Sequence, residues 1–296
     1  MDYKNLLLAI MKVGPNSYAI SRYLGEPSTI IKSMLNNLQN FLGLRVYPNI
    51  SAESLGLKKI IIFCKNSKLK IDTEKNLFVP LLNLYRADIE KKQFISVIFA
   101  NENSISDIES AIKKINEAGV AECEVMLINR TVKYVRNPEC FDFESGSWSC
   151  NSMYEFPNST RQLNADKADI DLIVSLQVNP CYPYFFNPHW THIKPAVTNF
   201  IYTLSKKDLI LDVISKTDIA RYIPQVVWKA EAKGLYITEI HMAGAETEKI
   251  LDAVREKAED MILAPMNISY AEGRSLPYEI FKGKTWKFPS IQIQEE

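Results

Sequence analysis

Glycine is scarce in this chain. The 296 residues include only 10 glycines, and Gly43, Gly56, Gly119 and Gly146 each stand alone. A loop that wraps a phosphate group with its backbone needs several glycines close together. The sequence therefore lacks the glycine-rich loop of nucleotide-binding proteins.

Long apolar runs are also missing. No run approaches the length of a membrane-spanning helix, and the first 20 residues include Asp2, Lys4 and Lys12 instead of a signal-peptide pattern. We therefore expect a cytoplasmic protein with no membrane partner.

The cysteines form no recognisable spacing. Their number is odd, and no Cys-x-x-Cys pair occurs among Cys64, Cys123, Cys140, Cys150 and Cys181. Secreted disulfide frameworks and many zinc sites depend on regular cysteine spacings. We therefore expect no disulfide framework, which agrees with a cytoplasmic location.

Charge of neither sign is in excess. The 35 lysines and arginines equal the 35 aspartates and glutamates, so any DNA binding has to come from a local basic patch. With 47% apolar and 24% charged residues, the composition is that of a globular protein. The length predicts two or more domains.

The most informative stretch is residues 16–64. Apolar residues at helical spacing predict a helix that ends at Gly25, and Pro27 cannot continue it. Ser28 or Thr29 can cap a second helix. That helix has an apolar stripe made of Ile30, Ile31, Met34, Leu35, Leu38 and Leu42. A short strand pair and a hydrophobic strand should follow.

The opposite face of the second helix is polar but not acidic. It consists of Thr29, Lys32, Ser33, Asn36 and Asn37. A helix that lies in the major groove of DNA needs such a face to reach the edges of the bases.

The segments ISRYLGEPSTIIKSMLNNLQ and LRVYPNISAESLGLKKIIIF resemble the winged helix-turn-helix of Lrp/AsnC-type transcription regulators of archaea and bacteria. In that family a Leu-Gly-Leu phrase leads into a ferredoxin-like effector and dimerisation domain, as Leu55-Gly56-Leu57 does before Lys58–Phe63. The resemblance implies a sequence-specific DNA-binding regulator that forms a homodimer on double-stranded DNA. A small-molecule effector is a further partner that the resemblance allows. The typical family chain is about half as long, so this chain has gained a further part.

The resemblance places the recognition helix at residues 28–38. The candidate DNA-binding residues are Ser17, Arg22, Ser28, Thr29, Lys32, Ser33, Asn36, Asn37 and Arg45. An ordinary solvated helix surface is the alternative, because Lys32 is the only cation on that helix. The alternative function is a ligand-sensing or scaffold protein that does not bind DNA. We find no catalytic set, cofactor motif or metal site and expect a protein that is not an enzyme.

The rest of the first half predicts a ferredoxin-like domain. Strands at 58–64 and 94–100 alternate with a predicted helix at 74–87 and a helix that starts near Ser104 or Ser106, and a further strand follows. This βαββαβ order defines the ferredoxin-like sandwich. The predicted fold class is therefore α+β, with a winged helix-turn-helix at 1–57 and a ferredoxin-like domain at 58–148.

The second half predicts a degenerate copy of the same unit. After a polar linker at 149–165, residues 168–180 resemble the first helix of the chain. Three further segments repeat in the same order, which indicates duplication. They pair residues 214–219 with 50–55, the strand and helix of 234–260 with those of 94–119, and 281–286 with 143–148. We expect a degenerate winged-helix-like domain at 166–223, where prolines interrupt the helices, and a second ferredoxin-like domain at 224–296.

Two histidines and an aromatic cluster complete the candidates. His189 and His192 lie three residues apart, but no acidic or second cysteine ligand stands at metal-site spacing. The neighbouring aromatics are expected to pack in the core, with the wall of a small-molecule pocket as the alternative. Phe185, Phe186 and Trp190 are candidates for the contact between two chains.

Overall fold

The computed structural model describes residues 2–70, 81–88, 90–144, 147–204, 209–242, 246–258, 261–266, 272–273 and 276–289. Within these residues the protein is an α+β structure with antiparallel sheets, which confirms the predicted class. The helices of the described residues are α1 (Tyr3–Val13), α2 (Ser17–Leu24), α3 (Ser28–Leu42), α4 (Glu102–Glu117), α5 (Lys167–Val178), α6 (Trp190–Ile193) and α7 (Thr247–Lys257).

Helices α1, α2 and α3 form a small unit at the start of the chain. Their apolar faces meet around Leu6, Ile10, Ile20 and Leu35, as the helical spacing predicts. Gly14 ends α1 at a φ of 68°, where a Cβ would lie 2.8 Å from the Phe200 ring, so only glycine fits.

The start of α3 differs from the prediction. Pro27 occupies the N-cap, and no side chain caps the helix, so the predicted cap by Ser28 or Thr29 is wrong. Proline needs no hydrogen-bond partner for its nitrogen, and its fixed φ suits the start of a helix. Ile30, placed on the apolar stripe by its spacing, is 46% exposed.

The first sheet lies between α4 and the second sheet. Its strands are β2 (Lys58–Lys65), β3 (Leu82–Asp88), β4 (Gln93–Ala100) and β5 (Glu122–Leu127), in the order β3-β4-β2-β5. Helix α4 packs its apolar face on this sheet through Ile108, Ile112 and Ile115. Asn101 caps α4 in a capping box with Ser104, so the predicted cap by Ser104 or Ser106 is wrong, and the helix begins at Glu102.

Strand β3 overturns one prediction. Residues 82–88 pair with β4 and are not the end of a helix at 74–87, and the earlier part of that predicted helix lies outside the described residues. Leu81, Leu82 and Leu84 fit a helical stripe. However, a strand that is buried on both faces is also apolar at successive positions. A short apolar run therefore does not distinguish a helix from such a strand.

The second sheet repeats the strand order of the first. Its strands β11 (Leu209–Ser215), β12 (Val226–Ala232), β13 (Leu235–Met242) and β14 (Ile262–Met266) lie in the order β14-β11-β13-β12. The first sheet reads β5-β2-β4-β3, which is the same order by position in the chain. The second sheet therefore includes β11, which lies before residue 224, where the second ferredoxin-like domain was expected to begin. The domain boundaries themselves remain a prediction.

This alignment also corrects one of the predicted repeats. Residues 214–219 follow the first strand of the second sheet, whereas residues 50–55 precede the first strand of the first sheet. The two segments therefore occupy different places in the two units.

Each sheet is extended by strands from the other half. Strands β6 (Arg130–Arg136) and β9 (Met153–Pro157) continue the second sheet beyond β12, and β15 (Glu272–Gly273) pairs with β3. The stretch 149–165, expected as a linker, thus contains a paired strand. The two sheets pack face to face through residues such as Phe63, Val97, Ile210 and Ile237.

A two-stranded ribbon joins the two halves above the sheets. Strand β1 (Leu44–Ile50) pairs with β10 (Val197–Leu204), in the register Leu44↔Leu204. Helix α1 packs on β10 and α5 packs on β1, so the helices also cross between the halves. The strand pair predicted for residues 44–64 is therefore wrong, because β1 finds its partner in the second half and β2 enters the first sheet.

The aromatic repeat at the end of each half occurs with a shift of two residues from the predicted pairing, because Phe281 corresponds to Phe141 and not to Phe143. Strands β7 (Phe141–Asp142) and β8 (Ser147–Trp148) pair, as do β16 (Phe281–Lys282) and β17 (Thr285–Trp286). Phe141 opposes Trp148 in one hairpin and Phe281 opposes Trp286 in the other.

Two disulfides contradict the cysteine prediction. Cys64 on β2 bonds Cys123 on β5, and Cys140 bonds Cys150 around the β7–β8 hairpin, while Cys181 remains a free thiol. Their separations of 59 and 10 residues follow no framework spacing, so only the strand pairing brings the cysteines together.

Candidate functional site

The central cavity lies between the β1–β10 ribbon and the two sheets. It encloses about 510 Å³, which is a typical size for a ligand site. Its polar and charged lining includes Arg45, Lys59, Arg86, Thr131, Lys133, Gln177, Thr203, Glu239 and His241. Both halves of the chain contribute to it.

A buried ion cluster forms the floor of the cavity. Arg86 on β3 reaches across to the second sheet, where its Nη1 lies 2.8 Å from both carboxylate oxygens of Asp212. Its Nη2 lies 2.5 Å from Glu239 Oε2. Trp228 and His241 also direct ring nitrogens at the Glu239 carboxylate. The cluster ties the sheets together at the cavity wall.

The charges of this cluster are matched. Burial alone would raise the pKa of Glu239, but the opposite charge of Arg86, aided by His241, outweighs burial and holds that pKa below its ordinary value. Glu239 is therefore an anion, whereas burial raises the pKa of Asp212, so one full negative charge faces the positive charge of Arg86. Lys59 and Lys133 have no carboxylate at ion-pair distance within the described residues, and Glu53 acts on them only from farther away.

Lys59 and Lys133 give the cavity its unbalanced positive charge. Burial, followed by the charge of Lys59, lowers the pKa of Lys133 to about 7, against a weaker opposite effect of Glu53. Burial likewise lowers the pKa of Lys59. Lys133 Nζ has a carbonyl partner, Ile50 O, at 3.3 Å. A buried amine with a depressed pKa gains stability from an anion beside it.

A second cavity adjoins the first. It encloses about 450 Å³ and shares Thr203, Val227 and His241 with the central cavity. Arg136 on its wall stacks over the Trp148 ring at 4.8 Å, and burial lowers the pKa of Arg136 to about 10. The two cavities therefore share part of their walls.

The arrangement suits a broad anion with several carboxylates. Arg45 on β1, Lys59 on β2 and Lys133 on β6 supply positive charge from the ribbon and from both sheets, and aromatic and aliphatic side chains supply apolar surface. The buried hydroxyl of Thr131 has no hydrogen-bond partner within the described part of the chain, so it is available to a polar ligand. An ammonium group with a pKa near 7 is also poised to give up a proton at neutral pH.

The predicted DNA-binding residues divide between two places. Thr29, Lys32, Ser33, Asn36 and Asn37 all lie on α3, where most of them are exposed and Asn36 and Asn37 face away from the apolar stripe, as the prediction requires. Ser28 and Arg22 are exposed as well, and Ser17 is half-buried at the start of α2. Arg45 is exposed on β1 but lines the central cavity. Whether any of these residues contacts DNA stays a prediction.

The cavity residues were missed by the sequence analysis. Lys59 and Lys133 are not among the candidates predicted from the sequence, but both line the cavity. The available signal was a charge inside an apolar strand, as Arg86 in β3, Asp212 in β11 and Glu239 in β13 show. Such charges need buried partners, which mark either an ion cluster or a site.

A separate cluster lies on the second half. Asp169, His189 and His192 are brought within 4.8 Å of one another, although no acidic residue stands near the histidines in the sequence. Cys181, eight residues before His189, takes no part and directs its sulfur at the Pro15 carbonyl 3.8 Å away. Phe185 and Trp190 pack on the core, and Phe186 is 69% exposed.

Comparison with solved structures shows the fold. The siroheme decarboxylase NirDL matches with a TM-score of 0.50 at 13% identity, over 89% of this chain and 90% of that chain. The same values hold for NirDL in co-complex with an iron-uroporphyrin III analogue. PH0061 has a TM-score of 0.29 at 18% identity, over 44% of this chain and 93% of that chain. The likeness to NirDL shows a shared fold.

Sequence comparison adds no family. No family model matches the chain, and no curated protein does. Within the described residues, no helix combines the length and apolar character needed to cross a membrane.

The expectation that the chain is not an enzyme is overturned. The structures it resembles over nearly their full length are those of an enzyme. The resemblance to regulators covers the first half of the chain, whereas the cavity forms between the two halves, from residues that no sequence pattern connects.

Proposed function

We propose that the chain is an enzyme that binds a tetrapyrrole bearing several carboxylates in the central cavity and removes CO2 from one of its acetate side chains. The observation that carries the proposal is the pair of lysines, Lys59 and Lys133, in a cavity whose only acidic lining residue within the described part of the chain, Glu239, is already paired with Arg86. The shared fold with a siroheme decarboxylase supports the choice of substrate class.

Binding follows from charge and shape. Arg45, Lys59 and Lys133 each offer a cation to a carboxylate, and charge-assisted hydrogen bonds of this kind are strong when buried. The flat ring of a tetrapyrrole suits the apolar surface between the ribbon and the sheets, including Phe99 and Trp228. The Arg86–Asp212–Glu239 cluster is internally balanced, so its role here is to hold the sheets in position.

The reaction needs one proton donor. The bond between the acetate methylene and its carboxylate breaks, CO2 leaves, and the electron pair stays on the methylene carbon, where the conjugated ring delocalises it. That carbon then takes a proton and becomes a methyl group. We assign Lys133 as the donor, because a carboxylate bound beside it holds it in the ammonium form, and the loss of that carboxylate as CO2 returns its pKa towards about 7, which favours transfer of the proton to the carbon.

The test uses the full chain and iron-uroporphyrin III. Binding should appear as a saturable change in the porphyrin absorbance, and mass spectrometry of the product should show loss of CO2. Lys133→Met should reduce binding and abolish CO2 loss, whereas the matched surface variant Lys32→Met should leave both unchanged. No binding, or binding that Lys133→Met and Lys59→Met do not weaken, would reject the proposal.

A second candidate is the sequence-specific DNA-binding regulator, an Lrp/AsnC-like winged helix-turn-helix with two ferredoxin-like lobes. The exposed polar face of α3 favours it. The repeated strand order of the two sheets also supports two ferredoxin-like lobes, with β2–β5 in one and β11–β14 in the other. Against it, Lys32 is the only cation on that helix, and phosphate contacts normally supply much of the affinity.

Binding to DNA separates the two candidates. Titration of labelled genomic fragments at two salt concentrations should show affinity that falls as salt rises if the regulator candidate is right. The regulator candidate includes a homodimer and domains that end at residues 57, 148, 165 and 223. It also includes a small-molecule effector, which the central cavity would bind.

A further inference from the structure

The cluster of Asp169, His189 and His192 joins two segments of the second half. Asp169 is the third residue of α5, and its side chain is fully buried. Its Oδ1 lies 2.8 Å from His189 Nδ1, and its Oδ2 lies 2.8 Å from His192 Nδ1. The carboxylate therefore sits between two imidazoles that come from a segment twenty residues further along the chain.

The local fold holds these three side chains in place. Asp166 and Asp169 form a capping box at the start of α5, in which the Asp166 backbone N–H donates to Asp169 Oδ2 at 2.9 Å. The Asn187 side chain accepts a hydrogen bond from the His189 backbone N–H at 2.9 Å. Helix α6 then places His192 one turn after His189, on the same side. Such supporting hydrogen bonds orient metal ligands.

The donor set is one that zinc prefers. Zinc binds imidazole nitrogens and carboxylate oxygens at about 2.0–2.2 Å in tetrahedral geometry, which places neighbouring ligand atoms about 3.3 Å apart. The two contacts of 2.8 Å need to open by about half an ångström to admit the ion. Asp166 Oδ1, 3.9 Å from His189 Nδ1, is near enough to serve as a fourth ligand.

The cluster is accessible to an ion. The His189 and His192 side chains are 33% and 51% exposed, while Asp169 is buried beneath them. The equivalent position in the first half is Asn5, three residues after the cap Asp2, and that half contains no histidine. Two of the three histidines in the chain are therefore concentrated at this one point.

We propose that Asp169, His189 and His192 bind a divalent zinc ion, with Asp166 or water completing the coordination. The ion replaces the two hydrogen-bonding protons between the carboxylate and the imidazoles. It clamps the start of α5 to the aromatic segment that contains Tyr184 and Trp190 and covers the core beside β1. This site is independent of the central cavity and of the proposed decarboxylation.

The test is zinc binding by the chelator-treated full chain. Calorimetry should give one site, and cobalt substituted for zinc should give the visible absorption bands of a tetrahedral ion. His192→Gln, a change at an exposed side chain, should weaken zinc binding at least about tenfold. Cys181→Ser should leave it unchanged, since Cys181 does not belong to the cluster.

Asp169→Asn gives a second measurement if folding is retained, as judged by circular dichroism, and should also abolish the cobalt bands. A chain that takes up no zinc would overturn the proposal. So would a wild-type affinity that His192→Gln leaves intact. Either result would make the cluster a hydrogen-bonded anchor only.

Discussion

Lys133 should make ligand binding in the central cavity depend on pH. Burial and then Lys59 lower its pKa to about 7, far below the ordinary lysine value. At pH 8 the amine is therefore about nine-tenths neutral without a ligand. A carboxylate bound beside it favours the ammonium form and raises the pKa again.

The size of the effect follows from these two states. If the carboxylate restores the pKa to about 10, binding takes up about 0.9 proton at pH 8 and about 0.1 proton at pH 6. Affinity is then nearly constant below pH 7 and falls by up to about tenfold per pH unit above it. The direction is fixed, because a ligand that stabilises the protonated form must bind more weakly as protons become scarce.

Calorimetry measures this proton uptake directly. Iron-uroporphyrin III is titrated into the chain at pH 6 and pH 8, each in two buffers with different heats of ionisation. Lys133→Met should remove the uptake at pH 8, and Lys32→Met, which removes a surface lysine on α3, should not. Tight binding by the unmodified chain at pH 8 without proton uptake would refute the reasoning, since Lys133 would then not meet a carboxylate.

Other predictions concern stability, DNA and assembly. Arg86→Met should lower the free energy of unfolding in urea by about 3–5 kcal/mol, because Asp212 and Glu239 then lose their buried cation, and an unchanged free energy would contradict this. Cys64→Ser opens a cross-link across 59 residues and should cost about 4 kcal/mol in oxidising buffer, a difference that a reductant should erase. Lys32→Ala with Asn36→Ala should weaken DNA binding by about 1–3 kcal/mol for each base that the variant no longer recognises, and an unchanged anisotropy titration rejects the DNA candidate. Light scattering at micromolar concentration checks the homodimer, which a strict monomer would exclude.

Local patterns in the sequence predicted the helices well. The apolar spacing of α1 and α4 is regular over several turns, so both helices could be placed from the sequence. Strand β3 could not be placed from the sequence, because its apolar run is short and fits the spacing of a helix as well as that of a strand. The pairing of β1 with β10 could not be predicted either, because the sequence of a strand does not identify the strand with which it pairs.

The candidate site was harder to predict than the fold. Arg86 and Asp212 are 126 residues apart in the chain, and only the face-to-face packing of two sheets brings them together. Asp169 stands twenty residues from His189, on another element. Sites built across a duplicated fold are assembled from positions that look unrelated along the chain, whereas a helix is specified by its neighbours.

The ribbon of β1 and β10 has a consequence for synthesis of the chain. When β1 leaves the ribosome, its partner β10 is still about 150 residues away, so the strand edge stays open while the first half folds. An unpaired edge invites pairing with another chain. In two nascent first halves, the β1 strand of one chain can form its backbone hydrogen bonds with the β1 strand of the other, as in a symmetric dimer. In the full chain, β10 of the same molecule takes the place of a second copy of β1. Because both strands belong to one chain, their pairing does not depend on the concentration of the protein.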